Sequence, residues 1–451
     1  MTTPFRLAAA IAPVLEQVPA LPTVDVLVAG GGSAGCVAAI AAARAGARVL
    51  LVERYGRLGG IGTGVLDTFY GFYTPGPNVK VVGGIADEVV DALTARGAAF
   101  IRPNTYGAGG GVTYSPEELT LVWDDLVVGS GAEVLFHATV IDVVTAPGSG
   151  VVTDVVLATR GGLLRASAAV VVDCTGDADV CARAGAGYEG ADTGHPVQAL
   201  TTTFRVANVD TDRARAFPKE DLFELMARAA ASGDYDLPRQ EGSIHRTPVE
   251  GVSLANMTRV EGVDPTDVHQ LTRAELAGRR QVAEYVRFLR DLVPGYEKAS
   301  LVGLSTSIGV RESRRIHGEY RLTADDVLGA RRFDDAIAQC GAPIEDHSSG
   351  TDTLWRYIPN HGVYDIPLRC LLPAGLDNVM VAGRCLSATH EAHASARSIA
   401  QCMAMGQAAG TLAALASTQA ATPRDVDVAA LRHRLHADGA LLDGVLRPPI
   451  T

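Results

Sequence analysis

Several residue types and runs are scarce in this sequence, and each shortage narrows what the chain can be. Positive charge is one: 39 Lys and Arg against 51 Asp and Glu leave a formal net charge of −12 over 451 residues. Binding nucleic acid takes clustered basic residues, and no such cluster occurs, which argues against that partner. An anionic membrane surface gains no support for the same reason. Cysteine is sparse and odd in number, and Cys36, Cys174, Cys181, Cys340, Cys370, Cys385 and Cys402 include no C-x-x-C pair. A disulfide-stapled domain, a zinc ribbon and a thiol–disulfide reductase are therefore disfavoured. No segment reaches the ~18–20 uninterrupted apolar residues of a membrane helix. At the N-terminus only Arg6 precedes the apolar stretch Leu7–Leu15, and Glu16 and Gln17 follow it. An amphipathic helix accounts for that better than a cleaved leader, and cytoplasmic residence is the expectation. Internal repeats and low-complexity tracts are also missing.

What remains is globular: 47% hydrophobic and 20% charged residues, in a length that suits two or three domains. Glycine is abundant, 49 of 451, and its clusters carry information. Val24 to Ala29 reads as a buried strand that runs into Gly30-Gly31-Gly32-Ser33-Ala34-Gly35. An Ala-rich helix follows, Val37 to Ala45, and then a second strand, Arg48 to Val52, ending on Glu53. This is strand–turn–helix–strand with G-x-G-x-x-G at Gly30, Gly32 and Gly35. Gly30 allows the tight turn, Gly32 lets a pyrophosphate approach the backbone, and Gly35 brings helix and strand together. The helix N-terminus favours phosphate charge, and Glu53 is placed to accept from a ribose diol. A second Gly-rich segment, Arg54 to Gly64, follows the acid at once. That suits a long dinucleotide lying across it and favours FAD over NAD.

Two more strands end in glycine turns: Ala169 to Asp173, before Cys174-Thr175-Gly176-Asp177, and Asn378 to Ala382, before Gly383-Arg384. With Gly30–Glu53 they resemble the FAD-dependent oxidoreductases that have a glutathione-reductase-type Rossmann domain, nearest the fumarate reductase/succinate dehydrogenase flavoprotein branch. More narrowly, Gly309–Tyr320, Ile366–Pro373 and Gly383–His393, continued by Met403–Gly410, resemble the bacterial "FAD-dependent oxidoreductase" family. The resemblance spans about residues 22–415. It implies an α/β fold: a Rossmann-type FAD-binding domain of three layers with a mostly parallel sheet, and an inserted α+β substrate or cap domain. It also implies non-covalent FAD, because Gly56–Tyr73 lacks the histidine to which succinate dehydrogenase-like enzymes attach the cofactor. The expected cofactor contacts are Gly30, Gly32, Ser33, Ala34, Gly35, Glu53, Arg54, Gly60, Thr63, Val140, Thr175, Gly176, Asp177, Gly383, Arg384, Ser398 and Ile399. Many FAD enzymes have Asp where Arg384 stands. Arg384 either faces the pyrophosphate or points away.

The motifs at both ends of the chain imply one FAD domain with an insertion. The expected division is an N-terminal extension (1–21), the first part of the FAD domain (22–190), a substrate or cap domain (191–360), the second part of the FAD domain (361–420) and a helical tail (421–451). Ser115-Pro116-Glu117-Glu118 marks a helix start. The cluster Gly107–Gly111 has no strand before it in this reading, so no second dinucleotide site is expected.

For chemistry, His390 and His393 stand out. Aligned by the resemblance, Ser398 and Ile399 fall where the fumarate reductase branch offers backbone N–H groups to the flavin, and His393 near a substrate-contacting position. Either histidine serves as general acid/base there, or both cap turns and pack the core. His-x-x-His lacks a third ligand, so no metal is expected. Of Arg311, Arg314 and Arg315, at least two belong to internal salt bridges in this reading, leaving Arg311 as the substrate contact. Tyr364, with His361 and Arg369 nearby, is a further proton donor candidate. The expected function is an FAD-dependent dehydrogenase or oxidase moving a hydride between a small organic substrate and flavin N5. The alternatives are a flavin monooxygenase of secondary metabolism and a non-catalytic FAD-binding protein. Neither the electron acceptor nor a homo-oligomeric state is readable.

Overall fold

The computed structural model describes residues 15–104, 106–348 and 350–442. The expected helix at Leu7–Leu15 lies outside them except for Leu15, which opens a short 3₁₀ turn to Gln17. In chain order, the elements that frame the site begin with β1 (Val24–Ala29), α1 (Ser33–Arg44), β2 (Val49–Val52), β3 (Glu133–Leu135) and β4 (Ala168–Asp173). Next come β5 (Phe204–Ala207), β6 (Ser243–Arg246), β7 (Ser253–Asn256), α2 (Val268–Leu292) and β8 (Ser300–Leu304). Last are β9 (Val379–Val381), α3 (His390–Ala396) and α4 (Ile399–Gln419).

Val26, Leu27, Val28 and Ala29 of β1 are wholly buried. A strand apolar on both faces suits the middle of a parallel sheet covered by helices on both sides. There β1 sits: the sheet order is β9-β4-β1-β2-β3, every pair parallel. The chain leaves β1 through α1 to β2 on one side, while β4 flanks β1 on the other. The carboxyl end of β1 is thus a topological switch point, where a crevice for ligands forms in open α/β sheets. The long helix α4 packs on α1 backbone to backbone. A Cβ on Gly406 would lie 2.2 Å from the Ala34 carbonyl oxygen, and one on Gly410 2.1 Å from that of Ala38. By length and composition α4 could cross a membrane, yet 83% of that stretch is buried inside the protein.

The inserted region builds its own core. The antiparallel sheet β6-β7-β5-β8 carries Phe204 and Val206, which pack with Val282, Tyr285, Phe288 and Leu289 of α2. The chain enters and leaves this region side by side, with Thr201 and Gly309 exchanging backbone hydrogen bonds of 3.2 and 2.6 Å. The hydrophobic cores do not divide at residue 360. Ile316, Leu322, Val327, Ile337 and Ile344 pack in the large core with the parallel sheet. The strand Ala99–Pro103, unread in the sequence, does precede the cluster Gly107–Gly111. It pairs antiparallel with Gly110–Tyr114, so Gly110 and Gly111 belong to the second strand of a hairpin, and a strand rather than a helix comes directly after the cluster.

Candidate functional site

A cavity of about 730 Å³ opens at the switch point and extends under the four-stranded sheet. Its nucleotide end is built by the turn after β1. Gly30 has φ +98, and a Cβ there would lie 2.5 Å from the Cys174 carbonyl oxygen. Gly32 lines the cavity, and a Cβ on it would meet no protein atom within 4 Å. Its missing side chain therefore opens space inside the cavity rather than relieving a clash, as a pyrophosphate cradle requires. Ser33 and Ala34, at the N-terminus of α1, line the same wall. Glu53 is buried and accepts from the backbone N–H groups of Gly31 (2.7 Å) and Tyr55 (2.8 Å). Burial raises its carboxyl above the usual range despite these bonds. Arg54, Gly60, Val140, Thr175, Gly176, Asp177, Gly383, Arg384, Ser398 and Ile399 all line the cavity as well.

Two of the expected cofactor contacts do not. A Cβ on Gly35 would fall 1.8 Å from the Gly30 carbonyl oxygen, so this glycine seats the helix against the turn. The Thr63 hydroxyl donates to the Leu58 carbonyl at 2.6 Å and belongs to its own loop. Arg384 lines the cavity, with its guanidinium 3.2 Å from Asp177, which also receives Ser313 Oγ (2.8 Å) and lies 3.7 Å from Arg54. Burial works against the Asp177 charge, but Arg384 and Arg54 outweigh it and hold that carboxyl below its ordinary range.

The histidines and the tyrosine singled out in the sequence lie elsewhere, and their expected place at a reacting face is corrected. His393 has no exposure and donates Nε2–H to the Arg384 carbonyl at 3.0 Å. His390 lies 2.8 Å from Glu312 through Nδ1 and 3.3 Å from Asp346 through Nε2. Tyr364, fully buried, shares a 2.8 Å hydrogen bond with Ser395. None of the three is in the cavity wall. The reason is a break at Arg397–Ser398: α3 ends, Ser398 turns extended (ψ 147), and α4 starts with a new register. The faces of α3 thus do not continue those of α4. Arg314 meets Asp179 (3.3 Å), Arg315 bonds Glu312 and Glu189, and Arg311 reaches the cavity with its Nη1 on the Ala199 carbonyl (2.8 Å).

The far end of the cavity holds groups that motif reading missed. Ser243 and His245 alternate along β6, as do Leu254 and Asn256 along β7, and all four line the wall. Period-2 geometry puts them on one sheet face. Opposite, Asp67 follows the short helix Ile61–Gly64. Its buried carboxylate lies 2.9 Å from His245 Nε2. Oδ2 of Asp67 and Nδ1 of His245 are buried without a partner. So are Nε of Arg239, Nε of Arg397 and Nε1 of Trp355, on three further residues of this wall. Buried polar atoms are normally satisfied, so these five are hydrogen-bonding capacity left unspent in the residues around the cavity. No sequence signal joins Asp67 to His245: they are 178 positions apart. A lone histidine in a strand ordinarily reads as core.

A family model described as "FAD dependent oxidoreductase" matches residues 25–435. Aklavinone 12-hydroxylase DnrF of Streptomyces peucetius is 44% identical over 77 residues, which are 17% of this chain and 15% of that enzyme. Among solved structures, p-nitrophenol 4-monooxygenase PnpA from Pseudomonas putida DLL-E4 is 13% identical, covers 90% of this chain and 82% of its own, and has a TM-score of 0.48. A geranylgeranyl bacteriochlorophyll reductase-like protein from Thermoplasma acidophilum is also 13% identical, over 92% of this chain and 83% of its own, with a TM-score of 0.45.

Proposed function

Because this chain belongs to the FAD dependent oxidoreductase family and uses FAD, we propose that it oxidises a small organic substrate in the far end of the cavity, with Asp67 and His245 handling the proton. The cofactor, held without a covalent bond, supplies the redox chemistry; the protein supplies orientation, acid/base groups and shelter from water. The Gly30–Ala34 turn, Glu53, the Thr175–Asp177 turn and the Gly383–Arg384 turn would hold it.

The observation that carries the reading is the Asp67–His245 pair in the cavity wall. A carboxylate on Nε2 favours the proton there and the lone pair on Nδ1, as in a general base; Nδ1 is buried in the wall, so the ring acts on substrate only once it turns toward the cavity. Such a base serves two reactions. In hydroxylation it takes the proton of a phenol and makes the ring electron-rich. In dehydrogenation it takes the hydroxyl proton as hydride leaves carbon. The likeness to aklavinone 12-hydroxylase supports hydroxylation, which we adopt as the finer reading. Hydride transfer from substrate alone is the second, favoured by the resemblance of Gly30–Glu53 and the two later glycine turns to the fumarate reductase branch.

Anaerobic mixing separates them. In a hydroxylase, NADH or NADPH bleaches the flavin, and oxygen then yields a product one oxygen atom heavier. In a dehydrogenase, substrate alone bleaches it. Against a panel of phenols and alcohols, His245→Ala should keep FAD and slow turnover about 10²–10⁴-fold, the size of a general acid/base contribution. Unchanged turnover in both His245→Ala and Asp67→Asn removes the pair from the chemistry.

A further inference from the structure

The cavity wall carries a set of positive charges that neither the cofactor cradle nor the proton-handling pair uses. Arg239 comes from the inserted region, Arg311 from the segment leading out of it, and Arg397 from the break between α3 and α4. All three line the cavity. Elsewhere around this site arginines are ion-paired: Arg54 and Arg384 with Asp177, Arg314 with Asp179, and Arg315 with Glu189 and Glu312. Among the described residues Arg239, Arg311 and Arg397 form no such pair. What they touch is mostly backbone carbonyl. Arg239 Nη1 reaches Asn256 O at 3.2 Å and its Oδ1 at 3.3 Å. Arg311 Nη1 reaches Ala199 O at 2.8 Å, and Arg397 Nη2 reaches Glu345 O at 3.4 Å. Each guanidinium has five N–H donors, so most of this capacity is unspent, and the Nε groups of Arg239 and Arg397 are buried without partners.

We propose that Arg239, Arg311 and Arg397 form a subsite for the carboxylate of the substrate, so that the enzyme acts on organic acids rather than on neutral molecules. The proposal rests on the reading of this cavity as the substrate site and names the class of substrate it takes. Planar guanidinium forks match a carboxylate in two parallel hydrogen bonds. Three like charges in one wall repel each other, and an anion removes that cost. Burial, and then the charges of Arg239 and Arg397, push the Arg311 guanidinium well below the usual arginine range, and the nearby Glu345 carboxylate offsets only part of this. The acids that line this end are each engaged, Glu345 with His347 at 2.9 Å, Asp67 with His245 at 2.9 Å and Glu275 with Arg279 at 3.1 Å. Glu345 lies closest to the arginines in its electrostatics. Burial opposes its charge, yet His347, Arg397 and Arg311 bring its carboxyl down to about 2. Aromatic and aliphatic side chains form the uncharged part of the wall. Trp355 and Tyr106 stack with ring centroids 5.1 Å apart, and both line the cavity together with Leu254 and Ile308. That combination fits an organic acid better than inorganic phosphate. It also runs against the net charge of −12, which by itself would repel anions.

The test is a binding titration of the FAD-loaded protein at low salt with benzoate, its uncharged twin benzamide, and inorganic phosphate, followed by calorimetry and by the flavin absorbance spectrum. Benzoate should bind and benzamide should bind at least about tenfold more weakly. Arg311→Gln should weaken benzoate roughly 10–100-fold, the loss of a charge-assisted hydrogen bond, and leave FAD occupancy unchanged. Arg311→Lys, which keeps the charge but not the fork, should fall between. Equal binding of benzoate and benzamide, binding of neither, tighter binding of phosphate, or indifference of benzoate to both Arg311 variants would each overturn the proposal. A wild-type protein without flavin absorbance fails the underlying reading instead, and it does so before any benzoate is added.

Discussion

Glycines of one turn do different work, and their missing side chains separate the roles. At Gly35 a Cβ would overlap the Gly30 carbonyl oxygen at 1.8 Å, a backbone atom that cannot yield without moving the turn. At Gly32 a Cβ meets nothing of the protein but enters the cavity. Gly35→Ala should therefore lower stability by about 1–3 kcal/mol, the range for overpacking, and lose FAD as a consequence. Gly32→Val should keep the melting temperature of the cofactor-free protein and still fail to bind FAD. Thermal unfolding of both apo-proteins, beside their flavin content, checks the pair; equal FAD loading of wild type and Gly32→Val would remove this turn from the cofactor. The turn was legible from sequence because its residues are contiguous and their spacing is set by backbone geometry. Asp67 and His245 were not, because only the packing of the inserted sheet over the Ile61–Gly64 segment brings them to 2.9 Å. The same limit explains His393: its nearness to Gly383 in sequence says nothing of which way the side chain turns once α3 breaks at Arg397.

Between elements, the contact that fixes the nucleotide end is α1 against α4. Gly406 and Gly410 stand four apart and face Ala34 and Ala38, also four apart, so one stripe on each helix lets the two backbones touch. The sequence shows this as a small-residue face, while the partner helix, more than 350 positions upstream, is not inferable from it. The consequence is mechanical. α4 carries Ser398 and Ile399 to the cavity from one side, and α1 carries Ser33 and Ala34 from the other. Enlarging the stripe must push these two walls apart. Gly410→Val puts its Cβ at the 2.1 Å approach to the Ala38 oxygen and adds two methyl groups beyond it. A loss of about 3 kcal/mol or more is expected, at the top of the overpacking range, with weaker FAD retention in step. Denaturant titration measures it, and a midpoint within error of wild type would mean that the helices are not held at this distance. One boundary that local chemistry does set is a helix start marked by its cap. The helix begun by Ser115 runs Pro116–Gly129, with Ser115 Oγ accepting from Glu118 N at 3.4 Å.

At the scale of the whole molecule, the inserted region is tied to the nucleotide fold by buried charges where its two connecting segments cross. Gln198 donates its backbone N–H to Glu312 at 3.0 Å on the way in, and Glu312 on the way out meets His390 and Arg315. His390 also faces Asp346, so one imidazole links three segments. Burial alone would lower the His390 pKa, but Asp346 and Glu312 overcome it and raise the group from the ordinary 6.5 to about 9. A folded-state pKa above the unfolded one stabilises the fold fully below about 6.5 and loses that contribution as pH climbs through about 9. Its size is roughly 3 kcal/mol, at 1.36 kcal/mol per pKa unit. Asp346 contributes with the opposite sign. Burial raises it, His390 and Ser348 lower it further, and the net depression gives stability that is lost as pH falls into the acid range. The expected behaviour is a plateau from weakly acid to neutral pH and a decline toward pH 10. Other groups titrate there too, so the wild-type curve alone does not isolate the histidine. His390→Gln keeps a similar volume and cannot carry the charge. The stability gap between wild type and this variant should be widest near pH 6 and close by about 2–3 kcal/mol toward pH 10. Urea unfolding at pH 6, 8 and 10 measures the gap, and a constant gap across that range would show that His390 is neutral in the fold and that the ties between the two regions are not ionic.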